Sequence, residues 1–218
     1  MSTLDVETQH GPARIHLHAA DAPLGALVLG HGAGGGVEAP DVVAATRAGL
    51  AERFTVALVE QPYRVAGKRS SPRAPVLDDA WTAVVEHLRS AELTGLPLVT
   101  GGRSAGARVA CRSAEATGAA AVLCLAFPLR PPARAGKPEP PSRIDELDAV
   151  NVPVLVVQGE NDRFGMPTAA PNREVVKVAG DHGLKKDTEA VAAAVREWLA
   201  RGLVDQDLDA VADRLRVG

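Results

Sequence analysis

Gly101-Gly102-Arg103-Ser104-Ala105-Gly106-Ala107 contains the pattern G-x-S-x-G at Gly102 to Gly106. An apolar run, Leu96-Pro97-Leu98-Val99-Thr100, precedes it, and a helix-compatible segment, Ala105 to Ala116, follows it. Strand, tight turn and helix form the context in which this pattern lifts a serine hydroxyl clear of a sheet. In so sharp a turn, side chains two positions either side of the serine would collide with each other, so glycines stand there.

Upstream, Gly25 to Leu29 is a short, nearly continuous apolar run, the mark of a strand covered on both faces. It ends in Gly30-His31-Gly32-Ala33-Gly34-Gly35-Gly36, a loop rich in unobstructed backbone amides. Pro40 to Arg53 has helical spacing, and Phe54 to Val59 reads as a second buried strand. Glu60 to Pro75 is polar and proline-containing, which predicts a surface loop. Asp78 to Ser90 places Trp81, Val84, Val85 and Leu88 at helical spacing, an amphipathic helix. At the start of the chain, Ala13 to His18 alternates with period two and predicts an edge strand, paired through the Gly11-Pro12 turn with the segment before it. His16 and His18 share one face of that strand, but no third ligand accompanies them, so a solvated face is expected and no metal site is assigned.

Downstream, Ala119 to Phe127 is another buried strand, and Pro128 to Pro141 an irregular proline-rich loop. Ser142 to Val150 is a short helix, and Val152 to Val157 and Glu174 to Val178 are strands. Asp187 to Ala200 forms an amphipathic helix, and Leu203 to Val217 a separate polar one. Strands alternate with helices without a repeat or linker, which predicts one α/β domain over residues 1–218 with a mostly parallel sheet flanked by helices. In such sheets, sites form outside the carboxyl ends of the strands, where every glycine-rich or charged turn named here falls.

Composition narrows the function classes. The chain has 218 residues, 46% of them hydrophobic, enough for a substantial core. Only 3% are aromatic, so Ala, Val and Leu must build that core. A net charge of −3 without long runs of one sign argues against a nucleic-acid surface. Cys111 and Cys124 sit in apolar segments without metal-ligand spacing and read as buried, reduced thiols. Met1 to Glu7 has neither a basic region nor an apolar core of the signal-peptide type, and no apolar run approaches a membrane span, so a cytoplasmic protein is expected.

Three turns form a chemical set. Ser104 follows one strand, Asp162 the next but one, and His182 the last. A serine hydroxyl needs a base within hydrogen-bond reach, and imidazole titrates near neutrality. A carboxylate then fixes the imidazole tautomer and stabilises the imidazolium that forms. Ser104 is therefore assigned as nucleophile, His182 as general base and then acid, and Asp162 as the orienting acid, in the chain order Ser, acid, His. Glu160 and Asp181 are alternatives for the acid, although Asp181 points away from its neighbour His182 wherever the backbone is extended. An oxyanion hole should use the amide of Ala105 and one from the loop after the first central strand, Ala33 by preference and Gly34 next. His31, Arg103, Pro128, Leu129 and Phe164 are substrate-pocket candidates, with His31 alternatively bracing the glycine-rich loop. Arg103, Arg130, Arg134 and Lys137 either place positive charge near the pocket or form a solvated basic surface.

His31-Gly32-Ala33-Gly34, Gly101 to Arg108, Phe127 to Pro132 with Gly136-Lys137-Pro138, Gln158 to Gly165 and Gly180-Asp181-His182 together resemble the α/β-hydrolase superfamily. Within it, the chain is similar to small cap-less hydrolases related to dienelactone hydrolase. The nearest group is the family that includes a vertebrate testis-expressed protein and a subunit of a histone acetyltransferase complex. Ala107, Arg130 and Gly183 depart from the residues common at those places, which bears on substrate preference. The resemblance implies the α/β-hydrolase fold without a cap domain and a serine-hydrolase mechanism needing no cofactor.

The expected activity is cleavage of a carboxylic ester or thioester of a small-molecule acyl substrate through an acyl-enzyme. The alternatives are a non-catalytic hydrolase-fold module that binds a protein through the proline-rich loop and the C-terminal helix, and an acyltransferase sharing the same intermediate. Neither membrane nor nucleic acid is an expected partner, and monomer and homodimer are equally compatible with the sequence.

Overall fold

The computed structural model describes residues 1–131, 136 and 138–202 with their surroundings, and the helical backbone on to Arg216. The chain opens on a hairpin, β1 (Ser2–Thr8) and β2 (Gly11–His18), joined at Gly11 with φ 99°. Next come β3 (Gly25–Gly30), α1 (Pro40–Ala51), β4 (Phe54–Glu60), the single turn α2 (Pro62–Val65) and α3 (Ala74–Ser90). The central unit is β5 (Leu98–Arg103), α4 (Ala105–Thr117) and β6 (Ala121–Leu125). The chain continues through α5 (Ile144–Asp148), β7 (Val154–Gly159), β8 (Arg173–Val178) and α6 (Thr188–Arg216).

All eight strands join one sheet in the order β1-β2-β4-β3-β5-β6-β7-β8. The pairs β1·β2 and β2·β4 are antiparallel, and the other five are parallel. β2 is therefore an interior strand with β1 at the edge, unlike the expectation from its period-two pattern. Its solvent-side His16 is half-buried, with Nε2 3.0 Å from Glu60 Oε2 across the β2·β4 pair.

Strand periodicity sorts the core into two layers. Leu27 and Leu29 of β3 pack on one face with Val42 and Ala45 of α1 and Val191, Val195 and Leu199 of α6. Ala26 and Val28 point the other way, toward Trp81, Val84, Val85 and Leu88 of α3 and Val109 of α4. Beyond them Ala107, Ala110 and Cys111 of α4 meet Val122, Cys124, Val156 and Leu147. With so few aromatics, most of this burial comes from aliphatic side chains, each contributing about 1.5–3 kcal/mol when fully buried.

The segment expected as a loop, Glu60 to Pro75, contains α2, with Pro62 in its first turn and Pro62 and Tyr63 buried. α3 begins at Ala74 rather than Asp78 because Pro75, with its preset φ, initiates it. Residues 188–216 form one continuous helix where two were expected. Between β6 and β7 the described residues hold only loop and the five-residue α5, and no cap. Among the described residues, no helix is long and apolar enough to cross a membrane.

Candidate active site

The strand order reverses between β3 and β5, whose chain neighbours lie on opposite sides of the sheet. A crevice forms at such a switch point, outside the strand carboxyl ends. The register pairs Gly30 with Gly102 there, and each strand then delivers a loop: residues 31–36 after β3, and Ser104 after β5.

Ser104 adopts φ 53°, ψ −105°, a costly conformation for a residue with a side chain. The surroundings enforce it. A Cβ on Gly102 would lie 2.5 Å from Gly30 O and 2.9 Å from Gly106 C. A Cβ on Gly106 would lie 2.5 Å from Gly30 O and 2.9 Å from His31 O. The two glycines are thus required mainly by the β3 backbone against which both press, and only secondarily by each other. The Ser104 amide donates to Leu125 O at 2.9 Å, which ties the turn to β6.

His182 arrives on the loop after β8. Its Nε2 is 2.9 Å from Ser104 Oγ, and its Nδ1 is 2.8 Å from Asp162 Oδ2. A carboxylate only accepts, so Nδ1 carries the proton and Nε2 is free to accept from the hydroxyl. The loop turns at Gly180 (φ 123°) and is anchored by Leu184, fully buried beside Val191 and Val195. Phe164 packs against the imidazole, tilted 44° to it, with ring centroids 4.3 Å apart. Asp181 is exposed and accepts from the Gly183 amide, and Glu160 is exposed, so neither alternative acid reaches the imidazole.

The Asp162 side chain is 1% exposed and well satisfied. Oδ1 accepts from the Phe164 amide at 2.8 Å, and Oδ2 accepts from Gln158 Nε2 at 2.8 Å. Gln158, buried on β7, also donates to Phe127 O and Gly165 O. Sequence reading missed Gln158 as a site residue. Its position four residues before Asp162, inward on a buried strand, was the available signal.

The glycine-rich loop is held from behind. The Gln61 amide donates to His31 Nε2 at 3.1 Å, so His31 Nδ1–H donates to Gly32 O at 2.8 Å. Tyr63 Oη donates to Ala33 O at 3.0 Å. Each bond fixes a peptide plane, and with it the opposite-pointing amide: that of Ala33 in the first case and that of Gly34 in the second. Among the described residues, neither amide has a hydrogen-bond partner. Ala105 opens α4, where an amide has no intrahelical acceptor. His31 is 3% exposed with both ring nitrogens occupied, so it braces the loop. Burial pushes its pKa below the usual imidazole value, which keeps it neutral.

Arg103 is neither a free pocket cation nor a solvated one. Its Nε lies 3.0 Å from Oδ2 of the fully buried Asp41, and its Nη2 donates to His182 O at 3.0 Å. Arg130 pairs with Glu139 at 2.7 Å on the surface. Arg134 and Lys137 lie outside the described residues. Of the other pocket candidates, Pro128 is buried and accepts from Arg143 through its carbonyl. Leu129 is half-buried and faces Gly165.

A family model described as alpha/beta hydrolase domain matches residues 23–197. No curated protein matches the chain in sequence. Among solved structures, an α/β serine hydrolase without lid from Xanthomonas campestris is 19% identical, with TM-score 0.68 over 90% of this chain and 94% of that one. The esterase domain of a Rhodothermus marinus protein is 17% identical, with TM-score 0.65 over 93% and 97%. Dienelactone hydrolase from Anabaena variabilis is 14% identical, with TM-score 0.71 over 92% and 96%. At these identities the structures share the fold, and it is the family match over most of the chain that settles membership: this protein belongs to the alpha/beta hydrolase domain family.

Proposed function

We propose that this chain is a serine hydrolase that cleaves a carboxylic ester or thioester of a small-molecule substrate through an acyl-enzyme on Ser104. The observation that carries the reading is the unbroken relay from Ser104 Oγ to His182 Nε2 at 2.9 Å and from His182 Nδ1 to Asp162 Oδ2 at 2.8 Å. Its hydroxyl end stands on a strained turn at the sheet's switch point.

In this mechanism Ser104 Oγ attacks the acyl carbon as His182 Nε2 takes its proton. The buried Asp162 carboxylate stabilises the imidazolium. The carbonyl oxygen becomes an oxyanion, received by the amides of Ala33 and Ala105, with Gly34 next to them. One such donor is worth about 10²–10³ in rate. His182 then protonates the leaving alcohol or thiol as its bond to the acyl carbon breaks. Water, deprotonated by His182, attacks the acyl-enzyme, and collapse returns the proton to Ser104 and releases the carboxylic acid. Phe164, against the imidazole, walls this side of the site. In this reading residues 1–218 form one domain and the protein acts in the cytoplasm.

The test is labelling with a fluorophosphonate probe. Wild type is modified at Ser104 and the Ser104→Ala variant is not. Folded wild type that resists labelling would sink the enzyme reading. A panel of short p-nitrophenyl esters and acyl-thioesters then separates the two acyl classes.

A further inference from the structure

The proposed relay makes no use of the side chain immediately before the serine, yet that side chain is among the most constrained in the site. Arg103 ends β5, and its side chain is 17% exposed. Its guanidinium meets three segments at once. Nε lies 3.0 Å from Oδ2 of Asp41 in the first turn of α1, an ion pair by proximity without hydrogen-bond alignment, Nη1 packs where a Cβ on Gly32 would come within 2.8 Å, and Nη2 donates to the main-chain carbonyl of His182.

That last bond is the informative one. Ser104 Oγ meets the imidazole of His182, while its chain neighbour Arg103 grips the same residue's carbonyl. Two adjacent residues therefore hold His182 at both its ring and its backbone. Among the described residues, the His182 carbonyl has no other partner. The remaining ties of this loop fall on either side of it: the Asn161 amide to Gly180 O, and the Gly183 and Leu184 amides to Asp181.

Asp41 explains why the guanidinium stays in place. Its side chain is 0% exposed, and Arg103 is its ion-pair partner. Burial pushes the Asp41 carboxyl above its ordinary value, and the guanidinium opposes that rise. A buried carboxylate strongly disfavours losing its cation, so Arg103 is not free to swing into solvent or toward a substrate. An arginine suits the task because its delocalised charge neutralises the buried anion on one side while Nη2 donates to the carbonyl on the other.

We propose that Arg103, locked by Asp41, is a positioning residue that sets the His182 imidazole against Ser104. The proposal rests on the Ser104–His182–Asp162 reading above. A catalytic group displaced by about 1 Å can lose on the order of 100-fold in rate, so a backbone tether of this kind has a measurable effect.

The test compares wild type, Arg103→Lys and the double variant Arg103→Met/Asp41→Asn, which removes both charges and leaves no unpaired ion. Folding is checked by urea unfolding. The readouts are the rate of fluorophosphonate labelling at Ser104, kcat and KM on a p-nitrophenyl ester, and the proton resonance of His182 Nδ1–H. The double variant is expected to fold, to label about 10- to 100-fold more slowly, to lose kcat with KM retained, and to show a shifted or broadened His182 resonance. Arg103→Lys is expected to recover part of the loss. A wild-type labelling rate with an unmoved resonance in the folded double variant overturns the proposal. If the double variant does not fold, the same two results in Arg103→Lys overturn it. Wild type that fails to label refutes the triad reading instead, and the resonance comparison still decides whether Arg103 positions the imidazole.

Discussion

Gln158 Nε2 and His182 Nδ1 converge on one oxygen, Asp162 Oδ2, each at 2.8 Å. The carboxylate is thus oriented by a buried amide whose own position is set by Phe127 O and Gly165 O. Gln158→Leu removes a two-proton donor that is shared among three acceptors. Leaving buried acceptors unpaired costs about 1–3 kcal/mol, to be read as a lower urea midpoint. The rate on a p-nitrophenyl ester should fall about tenfold, which corresponds to roughly 1.4 kcal/mol of barrier.

Gly106→Ala and Gly34→Ala should differ sharply. At Gly106 the new methyl would sit 2.5 Å from Gly30 O and 2.6 Å from Gly30 C, both backbone atoms that cannot give way. A destabilisation of about 1–3 kcal/mol or more is expected, visible as lost soluble yield or a lowered Tm. At Gly34 nothing lies within 4 Å of the methyl, and stability should stay within about 0.5 kcal/mol of wild type.

Tyr63→Phe removes the hydroxyl that holds Ala33 O and so frees the peptide carrying the Gly34 amide. Folding stability should fall by about 0.5–1.5 kcal/mol. Because the bond steadies the proposed oxyanion loop and not a bound ground state, kcat should drop severalfold with KM little changed. Steady-state kinetics on one ester distinguish this from a general loss of fold, which would lower the active fraction and leave kcat per labelled site intact.

Burial holds the pKa of His31 below its unfolded value of about 6.5. Below that value the unfolded chain takes up a proton that the folded one resists, so this contribution to stability is complete above about pH 6.5 and is lost as pH falls toward the depressed folded value. His18 shifts in the same direction, while the raised Asp41 acts oppositely, losing its contribution as pH rises through its folded value. The comparison with His31→Gln isolates the first effect. Wild type should lose more stability than the variant between pH 7.5 and pH 5.5 in urea titrations, and equal losses would refute the assignment.

Cys111 Sγ and Cys124 Sγ are 3.5 Å apart, one on α4 and the other on β6, both buried as free thiols. The contact with Cys111, together with burial, pushes the Cys124 thiol well up. A protonated thiol is a poor nucleophile. A thiol reagent should therefore leave both cysteines unmodified in native buffer and modify both in denaturant.

Much of the site was legible because β3, β5, β7 and β8 each leave the sheet at or near a glycine. Gly30, Gly102, Gly159 and Gly180 punctuate the sequence where the chain leaves the sheet or nears the crevice, and Ser104, Asp162 and His182 stand within three residues of such a glycine. What periodicity could not resolve were features with no local signature. α2 is one turn long, too short to show a helical period. The hairpin's period-two pattern does not say which strand faces outward, since β1 and β2 alternate alike and only long-range pairing with β4 settles it. Arg103 looked like surface charge because its partner Asp41 is distant in sequence and belongs to a helix start, a common place for an exposed acid. Buried ion pairs are properties of the assembled fold, not of spacing.

The glycine contact at Gly30 also divides the site mechanically. Ser104 is wedged between β3, β5 and β6, in the middle of the sheet, whereas His182 hangs from β8, which pairs on one side only. Central strands open only with the whole molecule, but an edge can breathe alone. On the proposed mechanism, the half that attacks the acyl carbon should then be as durable as the protein itself, and the half that moves protons should be the first to fail on warming. Amide hydrogen exchange should reveal the order, with the 180–184 loop exchanging well before residues 100–106, and fluorophosphonate labelling of Ser104 should fade before the sheet melts.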